Sequence, residues 1–494
     1  MSIIFVPIDN RPCTMIFPAQ LAKIGGYKIK IPPENLLGIF KKRGDSSKIL
    51  SWLYENTKKE DIILLSLDML IYGGLVASRN MNNSTLECEE NAKKLEEFLK
   101  TKPASKIIIF SSIMRTLPTF TNEKILLQAE KIKKHIKKLY PISPLSESEF
   151  SSVLKEISKD VEMKDFFTEY ILCRKRNFDI NLKACKWRKD NLIDRLLIGL
   201  DDVVCIGPNT MEAEKIKILM KDDEKTTVCN GTDELAMLAE AMIIKDEFSI
   251  SPTFAIHYSS EEGSYKNTIY ESKPVRDVVI EYIKASGCKI VEENADIDLF
   301  CKVHPNGQKE TEIQNLEKKE KDETFVNLIS EFMKKGKNVA VADVKYANGA
   351  DINFTKTLIK KINLTALLSY AAWNTSGNTL GTTISHAIIR YIAKKINRTQ
   401  DTIHVEFMYE RFLDDFIYQS IIRAKMKMKC LLNGISFLDM KEQDKQKISL
   451  NINKEMKKYA EKLSKSGFKK NSPKFIKAEL PWSRLFEVFI KTKL

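Results

Sequence analysis

Short apolar segments alternate with segments of helical period along most of the 494-residue chain. Apolar, β-branched runs of this kind predict buried strands, and a 3.6-residue period between them predicts helices. The predicted strands are residues 3–8, 27–31, 62–67, 106–111, 196–200, 226–229, 253–258, 298–303, 338–344 and 364–370. Strands that alternate with helices predict parallel sheets with helical crossovers. The pattern fits an α/β fold, either a (β/α)8-like barrel with additions or two doubly wound parallel sheets.

The same pattern predicts three parts of the chain. Residues 1–248 form an α/β N-terminal part that contains a helical insertion at about 123–195. Residues 249–398 form a second α/β part, and residues 399–494 form a helical C-terminal extension in which we expect no strand. The boundary near residue 248 rests on the turn-forming stretch 246–252.

Composition indicates a globular protein, with 43% hydrophobic and 30% charged residues. The net charge of +14 comes from lysines that are spread along predicted helices, without the interleaved aromatic residues of a nucleic-acid site. We therefore do not expect a nucleic-acid-binding protein. A contact between the lysine-rich C-terminal helices and nucleic acid stays a third hypothesis, after the two given below.

Residues 1–9 have no basic leader and reach Asp9 before an apolar stretch of signal-peptide length is complete, so we expect no export signal. Asp68 interrupts the best candidate for a membrane helix, residues 62–76. The nine cysteines of the chain are scattered and form no CxxC pair, which argues against a disulfide framework and against a zinc site. We expect a cytoplasmic protein with no contact to membranes.

Several well-known catalytic motifs are missing from the sequence. There is no GxxxxGK[ST] loop, no GxGxxG after a strand, no HExxH and no GxSxG. A nucleotide-driven enzyme and a serine hydrolase are not expected, and no cofactor is predicted. Asp9, Asp68 and Asp202 could in principle bind a divalent metal, but no ligand spacing requires one, so no metal is predicted.

Polar residues follow nearly every predicted strand, at the edge where α/β folds bind ligands. Turn formation and helix capping explain individual Asp, Asn and Gly residues there. They do not explain why arginine and aromatic residues recur at the same places. The predicted ligand-binding residues of this kind are Asp9, Arg11, Asp68, Tyr72, Arg79, Arg115, Asn209, Tyr346, Asn348 and Asp351.

The segment after the last predicted strand has the most concentrated set of hydrogen-bonding groups. Residues 370–383 read YAAWNTSGNTLGTT, and a helical pattern follows directly. Helix capping accounts for one or two of these residues, but not for the whole set. We therefore assign Trp373, Asn374 and Asn378 to the ligand site, with Trp373 as an aromatic plate for a sugar ring.

Asp201 and Asp202 form an acidic pair at the end of a predicted strand. Neighbouring carboxylates separate each other's pKa values, so one can be protonated while the other is ionised, as general acid and base catalysis requires. Glycoside hydrolysis commonly uses such a pair. The alternative is a helix-capping Asp beside a surface Asp, and the sequence leaves both interpretations open.

Five segments resemble a bacterial family known as domain of unknown function 4127. They are PIDNRPC at 7–13, LDMLIYGGLVASR at 67–79, WNTSGNTLG at 373–381, RFLDDFIYQ at 411–419 and LPWSR at 480–484. The resemblance spans nearly the whole chain and implies one family unit, but it implies no activity.

The Asp-Asp pair and the Trp-Asn segment also resemble local patterns of N-acetylglucosamine-cleaving barrels. That resemblance implies that Asp201 orients the substrate and that Asp202 protonates the leaving oxygen.

Two functions follow as hypotheses. The first is a carbohydrate-active hydrolase that acts on a small, sugar-like molecule, with Asp201 and Asp202 as catalytic residues. The alternative is a non-catalytic protein that binds a polar or anionic metabolite, in which Arg11, Arg79 and Arg115 hold a carboxylate or phosphate.

Overall fold

The structure of the protein is a computed structural model that describes residues 2–117, 127–141, 145–203, 207–271, 273–316, 323–468 and 472–494. Its strands are β1 (Ser2–Val6), β2 (Lys28–Lys30), β3 (Ile62–Ser66), β4 (Lys106–Ile113), β5 (Arg195–Leu200), β6 (Thr226–Asn230), β7 (Thr253–Tyr258), β8 (Lys289–Ile290), β9 (Ile297–Lys302), β10 (Lys309–Glu310), β11 (Val339–Asp343), β12 (Tyr346–Ala347), β13 (Ser369–Ala371), β14 (Lys474–Glu479) and β15 (Phe489–Lys493).

The α-helices in the described residues are α1 (Phe17–Ile24), α2 (Ser46–Asn56), α3 (Leu67–Tyr72), α4 (Thr85–Lys100), α5 (Ala129–Leu139), α6 (Glu147–Ile157), α7 (Val161–Lys189), α8 (Pro208–Leu219), α9 (Leu235–Phe248), α10 (Glu261–Ser264), α11 (Val275–Ala285), α12 (Glu323–Lys334), α13 (Ile352–Lys361), α14 (Ser376–Lys395), α15 (Asp401–Arg411), α16 (Arg423–Leu432) and α17 (Glu442–Leu463). An unusual π-helical segment, Phe412–Ile422, joins α15 to α16.

The chain divides into two compact units, and each unit takes one piece from the N-terminal region. Unit 1 comprises Met1–Asn10 and Lys28–Leu235. Unit 2 comprises Arg11–Tyr27 and Ala236–Leu494, so it includes α1 as well as the C-terminal helices. The segment 11–27 therefore leaves the first sheet and returns to it within the first thirty residues.

Each unit is built on a parallel sheet. Unit 1 has six strands in the order β2-β1-β3-β4-β5-β6, and unit 2 has five in the order β13-β11-β9-β7-β8. All neighbouring strands in both sheets run parallel. When the strands of each sheet are numbered in chain order within that sheet, both sheets have the order 2-1-3-4-5, and the sheet of unit 1 has a sixth strand next to its fifth. The two parallel sheets agree with the second of the two predicted architectures.

The predicted helical insertion of unit 1 contains α5, α6 and α7, and its residues 123–126 and 142–144 lie outside the described residues. These helices enclose an apolar cluster of their own, centred on Ile132, Ile136, Phe167 and Tyr170.

Unit 2 corrects two predictions about strands. The apolar run 364–370 begins as a 3-10 turn, Leu364–Ala366, and only its last two residues belong to β13, which pairs with β11. Short apolar runs do not distinguish a strand from a buried turn. The expectation of no strand after residue 398 was also wrong, because β14 and β15 form an antiparallel hairpin. Strand β14 contains lysines on partly exposed positions, which hides it from a search for apolar runs.

None of the α-helices in the described part of the chain has both the length and the apolar character needed to cross a bilayer. The cysteines that the structure describes are all buried free thiols, and Cys205 lies outside the described residues.

Candidate functional site

The predicted site residues divide between the two units, and each set is described separately. Unit 1 contains Asp9, Asp68, Tyr72, Arg79, Arg115, Asp201, Asp202 and Asn209. Unit 2 contains Arg11, Tyr346, Asn348, Asp351, Trp373, Asn374 and Asn378.

The acidic pair of unit 1 lies just after β5, and each of its carboxylates has an arginine partner. The side chain of Asp201 forms an ion pair with Arg79, and that of Asp202 forms one with Arg115. The first pair is buried, with side chains 8% and 10% exposed, whereas the side chains of the second are 23% and 28% exposed. Both predicted catalytic carboxylates are thus bound by guanidinium groups.

Asn209 fixes the backbone of the turn that carries this pair. Its Nδ2 donates to the carbonyl oxygens of Asp201 at 3.4 Å and Asp202 at 3.3 Å, and its Oδ1 accepts from Thr116 Oγ1 at 2.9 Å. Asp202 has a φ of 38°, a left-handed conformation that is costly for a residue with a side chain. The fully buried Asn209 is therefore a structural support of the turn and not a surface for ligands.

The helical insertion positions the two loops that carry the arginines. Arg174 on α7 donates to the carbonyl oxygen of Arg115 at 2.9 Å. Arg176, on the same helix, donates to the carbonyl oxygen of Ser78 at 2.6 Å, next to Arg79. Arg174 and Arg176 are both buried, so charge-assisted hydrogen bonds from α7 hold the loops that carry Arg79 and Arg115.

Asp68 is the most deeply buried acid of this cluster. It lies in the first turn of α3, where it accepts hydrogen bonds from Ser112 N at 3.0 Å and Ser112 Oγ at 2.6 Å. The pKa of Asp68 is raised to about 6, mainly by burial and also by the charge of Asp201, while the Ser112 hydrogen bonds and Arg79 oppose the rise. Asp68 therefore titrates closer to neutrality than an ordinary aspartate.

Tyr72 and Asp9 complete the predicted residues of unit 1. Tyr72 is buried with the Arg176 guanidinium 4.8 Å from its ring centre, and its carbonyl accepts from Asn83. This environment makes Tyr72 a packing residue. Asp9 follows β1 and is 6% exposed.

Unit 2 contains a pocket at the carboxyl ends of β11 and β13. The space within it is about 380 Å³, a volume that includes open solvent at its mouth. Four predicted residues line it together with residues that sequence reasoning did not select. The lining is Arg11, Pro12, Cys13, Phe17, Asn348, Trp373, Asn374, Asp414, Gln419, Phe486, Glu487 and Val488.

Trp373 is held in the pocket wall by threonines of α14. Thr379 Oγ1 accepts from the Trp373 amide at 3.0 Å and donates to its carbonyl at 2.8 Å, and Thr382 Oγ1 accepts from the indole Nε1 at 3.1 Å. The indole packs edge to face against Phe17, with ring centres 5.9 Å apart. Two threonines of the 370–383 segment thus orient the tryptophan.

Asn378 does not line the pocket and instead caps α14. Its backbone amide donates to Thr375 Oγ1 at 3.2 Å, and its Oδ1 accepts from the Thr375 amide at 3.3 Å. This is a capping box. Asn378 Oδ1 also accepts from Asn374 Nδ2 at 2.5 Å, so it acts on the pocket through Asn374.

The two asparagines that line the pocket both have left-handed backbones. Asn348 has a φ of 62° and Asn374 a φ of 55°. The Asn348 amide donates to the Asn374 carbonyl at 2.8 Å, which joins the β12 and β13 loops. Asparagine tolerates this conformation better than most residues, and strained residues of this kind often cluster at ligand sites.

Asp414 is a pocket carboxyl group on the π-helical segment Phe412–Ile422. The wide turn brings it beside the residue five positions later, because Gln419 Nε2 donates to Asp414 Oδ1 at 3.2 Å. Arg411 Nη2 donates to Asp414 Oδ2 at 3.3 Å. Burial raises the pKa of Asp414, although the charge of Arg411 opposes the rise. Single π-helical turns within helices frequently mark functional sites.

Asp415, the next residue, connects this segment to the sheet. It accepts from the Ala372 amide and from Arg411 Nη1, both at 2.8 Å. Burial raises its pKa to about 7, the charge of Asp414 adds to the rise, and Arg411 opposes it. Asp415 thereby fixes Asp414 relative to the end of β13.

Glu487 is the second pocket carboxyl group. Arg484 donates to both of its oxygens, and Arg11 Nη1 lies 4.0 Å from Oε1. Glu487 is 7% exposed, so this is a mostly buried ion pair.

Arginine and aromatic side chains alternate behind Glu487. The Trp482 ring lies between Arg11, 5.2 Å from the ring centre, and Arg484, at 4.6 Å. The Phe486 ring lies between Arg484 at 5.5 Å and Arg423 at 5.4 Å. We call this stack of Arg11, Trp482, Arg484, Phe486 and Arg423 the arginine ladder.

Tyr346 and Asp351 do not line the pocket. Asp351 caps α13 through Asn353 N at 2.9 Å and forms a buried ion pair with Lys345 at 2.9 Å. Tyr346 is buried with its ring edge to face against His304. The contacts of both residues stabilise the fold.

The sequence contained a signal for the missed residues. Asp414 and Asp415 stand in an otherwise apolar run, and Trp482, Arg484 and Phe486 alternate in a short segment. Both segments carry the resemblance to the family. Neither follows a predicted strand, and the predicted site residues all lie after predicted strands. No group of three or more His, Cys, Asp or Glu suited to a metal occurs in the described residues.

Comparison with curated proteins and with solved structures found no match. The family described as "Protein of unknown function (DUF4127)" matches residues 3–491 of the chain. With nearly its whole length matched, the chain belongs to the DUF4127 family.

Proposed function

We propose that the protein is a carbohydrate-active hydrolase and that its substrate binds in the pocket of unit 2. Asp414 carries this proposal, because it is a carboxyl group with a pKa raised by burial in the lining of a pocket. In this proposal Asp414 is the general acid and Glu487 is its partner. They take the roles that sequence reasoning gave to Asp202 and Asp201.

The two carboxyl groups have the contrasting environments that acid and base roles need. Asp414 keeps its proton more readily because it is buried, whereas Glu487 is held by both nitrogens of the Arg484 fork. Pairs of carboxyl groups in unlike environments mark acid and base assignments in glycosidases. Asp201 and Asp202 each have an arginine of their own, whereas Asp414 shares the guanidinium of Arg411 with Asp415.

The rest of the lining suits a sugar. Trp373 and Phe486 offer apolar ring surfaces, and Asn348, Asn374 and Gln419 offer amide groups for hydroxyls. In the reaction, Asp414 donates its proton to the glycosidic oxygen as the bond to the anomeric carbon breaks. Water then adds its hydroxyl to that carbon and its remaining proton restores the acid, so one glycoside and one water give a free sugar and an alcohol.

The test is turnover of chromogenic aryl glycosides of both anomers, including N-acetylhexosaminides, by purified protein. We expect Asp414→Asn to lower kcat by about 10²- to 10⁴-fold, the usual contribution of an acid-base group. The matched control is Asp202→Asn, which removes an acid of unit 1 and should leave kcat within about threefold. If instead Asp202→Asn lowered kcat by this amount and Asp414→Asn kept its activity, the catalytic role would return to unit 1.

Arg79 and Arg115 favour a second candidate function, the binding of an anionic metabolite in unit 1. Both arginines are matched by acids, and the Arg115–Asp202 pair is the more exposed. A ligand carboxylate or phosphate would replace Asp202 on Arg115. Titration calorimetry with inorganic phosphate and with citrate tests this function: Arg115→Met should weaken binding about tenfold or more. Absence of turnover on every glycoside, together with such binding, would favour this candidate.

Two finer assignments belong to the same proposal. The 2-1-3-4-5 strand order of both sheets supports two doubly wound sheets over a barrel. The free thiols of the described cysteines support action in a reducing cytoplasm.

A further inference from the structure

Asp414 and Asp415 are consecutive buried acids that share one guanidinium group. Arg411 Nη2 donates to Asp414 Oδ2 at 3.3 Å, and Nη1 of the same group donates to Asp415 Oδ1 at 2.8 Å. Asp414 is 6% exposed and Asp415 is fully buried. Among the described residues, no second lysine or arginine forms an ion pair with either carboxyl group. Two buried carboxyl groups therefore have one positive charge between them.

Aromatic rings hold the guanidinium group of Arg411 in place. It lies 3.5 Å from the centre of the Phe17 ring and 5.4 Å from that of Phe407, and the residue is 2% exposed. Phe17 is also a lining residue of the pocket. These contacts keep the guanidinium group beside both acids.

The other charged groups around the two acids supply no second counter-charge. Arg423 acts on Asp414 only through space, and its own guanidinium group lies 3.6 Å from Glu312. Burial lowers the pKa of His386 well below 6.5, so this side chain carries no charge at pH 7. The remaining titratable neighbours are acids and phenols, namely Glu410, Glu487, Tyr370 and Tyr418.

A second negative charge without a partner is costly inside a protein, because burial removes the water that would solvate it. A proton removes that charge, and two acids that interact this closely titrate as a pair and not as separate groups. Burial raises the pKa of both Asp414 and Asp415, although Arg411 opposes the rise. This direction agrees with a proton that the pair keeps near neutral pH.

We infer that Asp414 and Asp415 share a single proton beside Arg411, and that Asp415 is a positioning residue that keeps this proton available to Asp414. Asp415 is not among the lining residues of the pocket, so it acts by occupying half of the Arg411 guanidinium group. Without Asp415, the whole charge of Arg411 would act on Asp414, which would then lose its proton well below pH 7. The use of the proton in catalysis rests on the proposed function, whereas the shared proton itself does not.

Urea denaturation of the full chain at pH 5 and pH 7 tests the shared proton in Asp414→Asn and Asp415→Asn. An unfolded aspartate holds almost no proton above pH 5, so a proton kept by the folded pair raises the unfolding constant about tenfold per pH unit. Either substitution leaves one acid for one guanidinium group and abolishes this effect. Relative to the wild type, the unfolding constant of each variant should therefore fall on the order of 100-fold from pH 5 to pH 7.

The double variant Asp414→Asn/Asp415→Asn separates a shared proton from two independent ones. Because the first substitution already removes the one proton, the double variant should show no larger pH shift than either single variant. It leaves Arg411 without an acid and should be less stable at both pH values. If it does not fold, equal shifts in the two single variants remain the test.

Asp296 offers a matched control in the same unit. Although burial opposes the shift, hydrogen bonds from Tyr391 and Thr253 lower its pKa, so it is ionised in the folded and the unfolded chain above pH 5. Asp296→Asn should keep the pH dependence of the wild type within about threefold, whatever stability it loses.

A pH profile of kcat tests whether Asp414 uses the proton in glycoside turnover. Asp415→Asn should lower kcat at pH 7 by about tenfold or more and recover activity toward pH 5, because its acid is protonated only at lower pH. Asp415→Glu keeps a second carboxyl group and should retain the profile of the wild type. An equal loss of kcat at both pH values would overturn the positioning role of Asp415.

The outcomes separate this inference from the proposed function. Equal pH shifts in the two single variants without turnover of any glycoside would keep the shared proton and remove the hydrolase. A pH shift in only one single variant, or a double variant whose shift is the product of the two, would overturn the shared proton.

Discussion

The two parallel sheets share a strand order, but their carboxyl edges treat acidic side chains differently. In unit 1, Asp201 and Asp202 each have an arginine. In unit 2, burial raises the pKa of Asp343 and Asp415 to about 7, and it also raises that of Asp414. Burial thus raises the pKa of Asp414 and Asp415 although Arg411 is paired with both. A raised pKa leaves an acid with a proton to donate closer to neutral pH.

The difference teaches why residue type alone does not locate a catalytic acid. Asp201-Asp202 and Asp414-Asp415 are identical dipeptides. The first pair faces two arginines from separate loops, while Arg411 supplies a single guanidinium to both acids of the second. Four variants test this contrast.

The largest effect is expected from Arg79→Met, which leaves Asp201 buried without its counter-charge. Loss of one partner from a buried pair costs about 3–5 kcal/mol of unfolding free energy. Urea denaturation at pH 7 measures it. The double variant Arg79→Met/Asp201→Asn should recover most of the loss, and a double variant no more stable than the single one would contradict the counter-charge role.

Acid should destabilise unit 2 through its buried histidine pair, His386 and His404, which hydrogen-bond at 3.0 Å. Burial lowers the pKa of His404 to about 3 and lowers that of His386 well below 6.5. Below pH 6.5 the unfolded chain therefore binds protons that the folded chain does not. The contribution of the histidine pair should fall as pH falls from 6.5 toward 3, by about 1.4 kcal/mol per pH unit and histidine. Buried carboxyls with raised pKa values, such as Asp343 and Asp415, act in the opposite direction, so the pair is measured by the difference between variant and wild type.

Urea midpoints between pH 7 and pH 5 measure this slope. His386→Met should reduce the slope of the wild type by about one histidine's share, whatever its stability at pH 7. An unchanged slope would show that the pair is not responsible.

Glu240 on α9 is an extreme case of an acid without a counter-charge. It is fully buried, neither oxygen has a hydrogen-bond partner among the described residues, and burial raises its pKa well above 4.5. Glu240→Met should stabilise the protein by about 1–3 kcal/mol at pH 7, the penalty of an unsatisfied buried polar group. Calorimetric Tm values test this, and a lower Tm for the variant would reveal a partner for Glu240.

The smallest effect is expected from Arg115→Met. Its pair with Asp202 is more exposed than the Arg79–Asp201 pair, and pairs of this kind contribute about 0–1 kcal/mol. Comparison of urea midpoints with those of Arg79→Met gives the ranking directly. If Arg115→Met lost as much unfolding free energy as Arg79→Met, exposure would not determine how strongly each ion pair stabilises the protein.

The alternation of apolar runs and helical periods was sufficient to predict parallel sheets, because β1, β3, β4 and β5 are continuous buried runs. Hairpin β14–β15 escaped because its residues are half exposed and lysine-rich. No periodicity could show that residues 11–27 belong to unit 2, since that assignment depends on contacts distant in sequence.

Part of the candidate site could also be predicted from the sequence. Arg11, Asn348, Trp373 and Asn374 were selected as strand-end residues and line one pocket. Asp414 and Gln419 escaped because a π-helical turn, which sequence patterns do not announce, brings them together. Asn378 and Asp351 were selected as ligand contacts, but their hydrogen bonds are those of helix caps.

The arginine ladder joins the two ends of the chain, since Arg11 stacks on Trp482 and Glu487 lies 4.0 Å from it. During synthesis Arg11 leaves the ribosome long before Trp482 and Glu487 do. Contacts that span so much sequence form late. The pocket of unit 2 is therefore completed only after residues 486–488 have been made, and a chain that ends before them lacks part of the pocket wall.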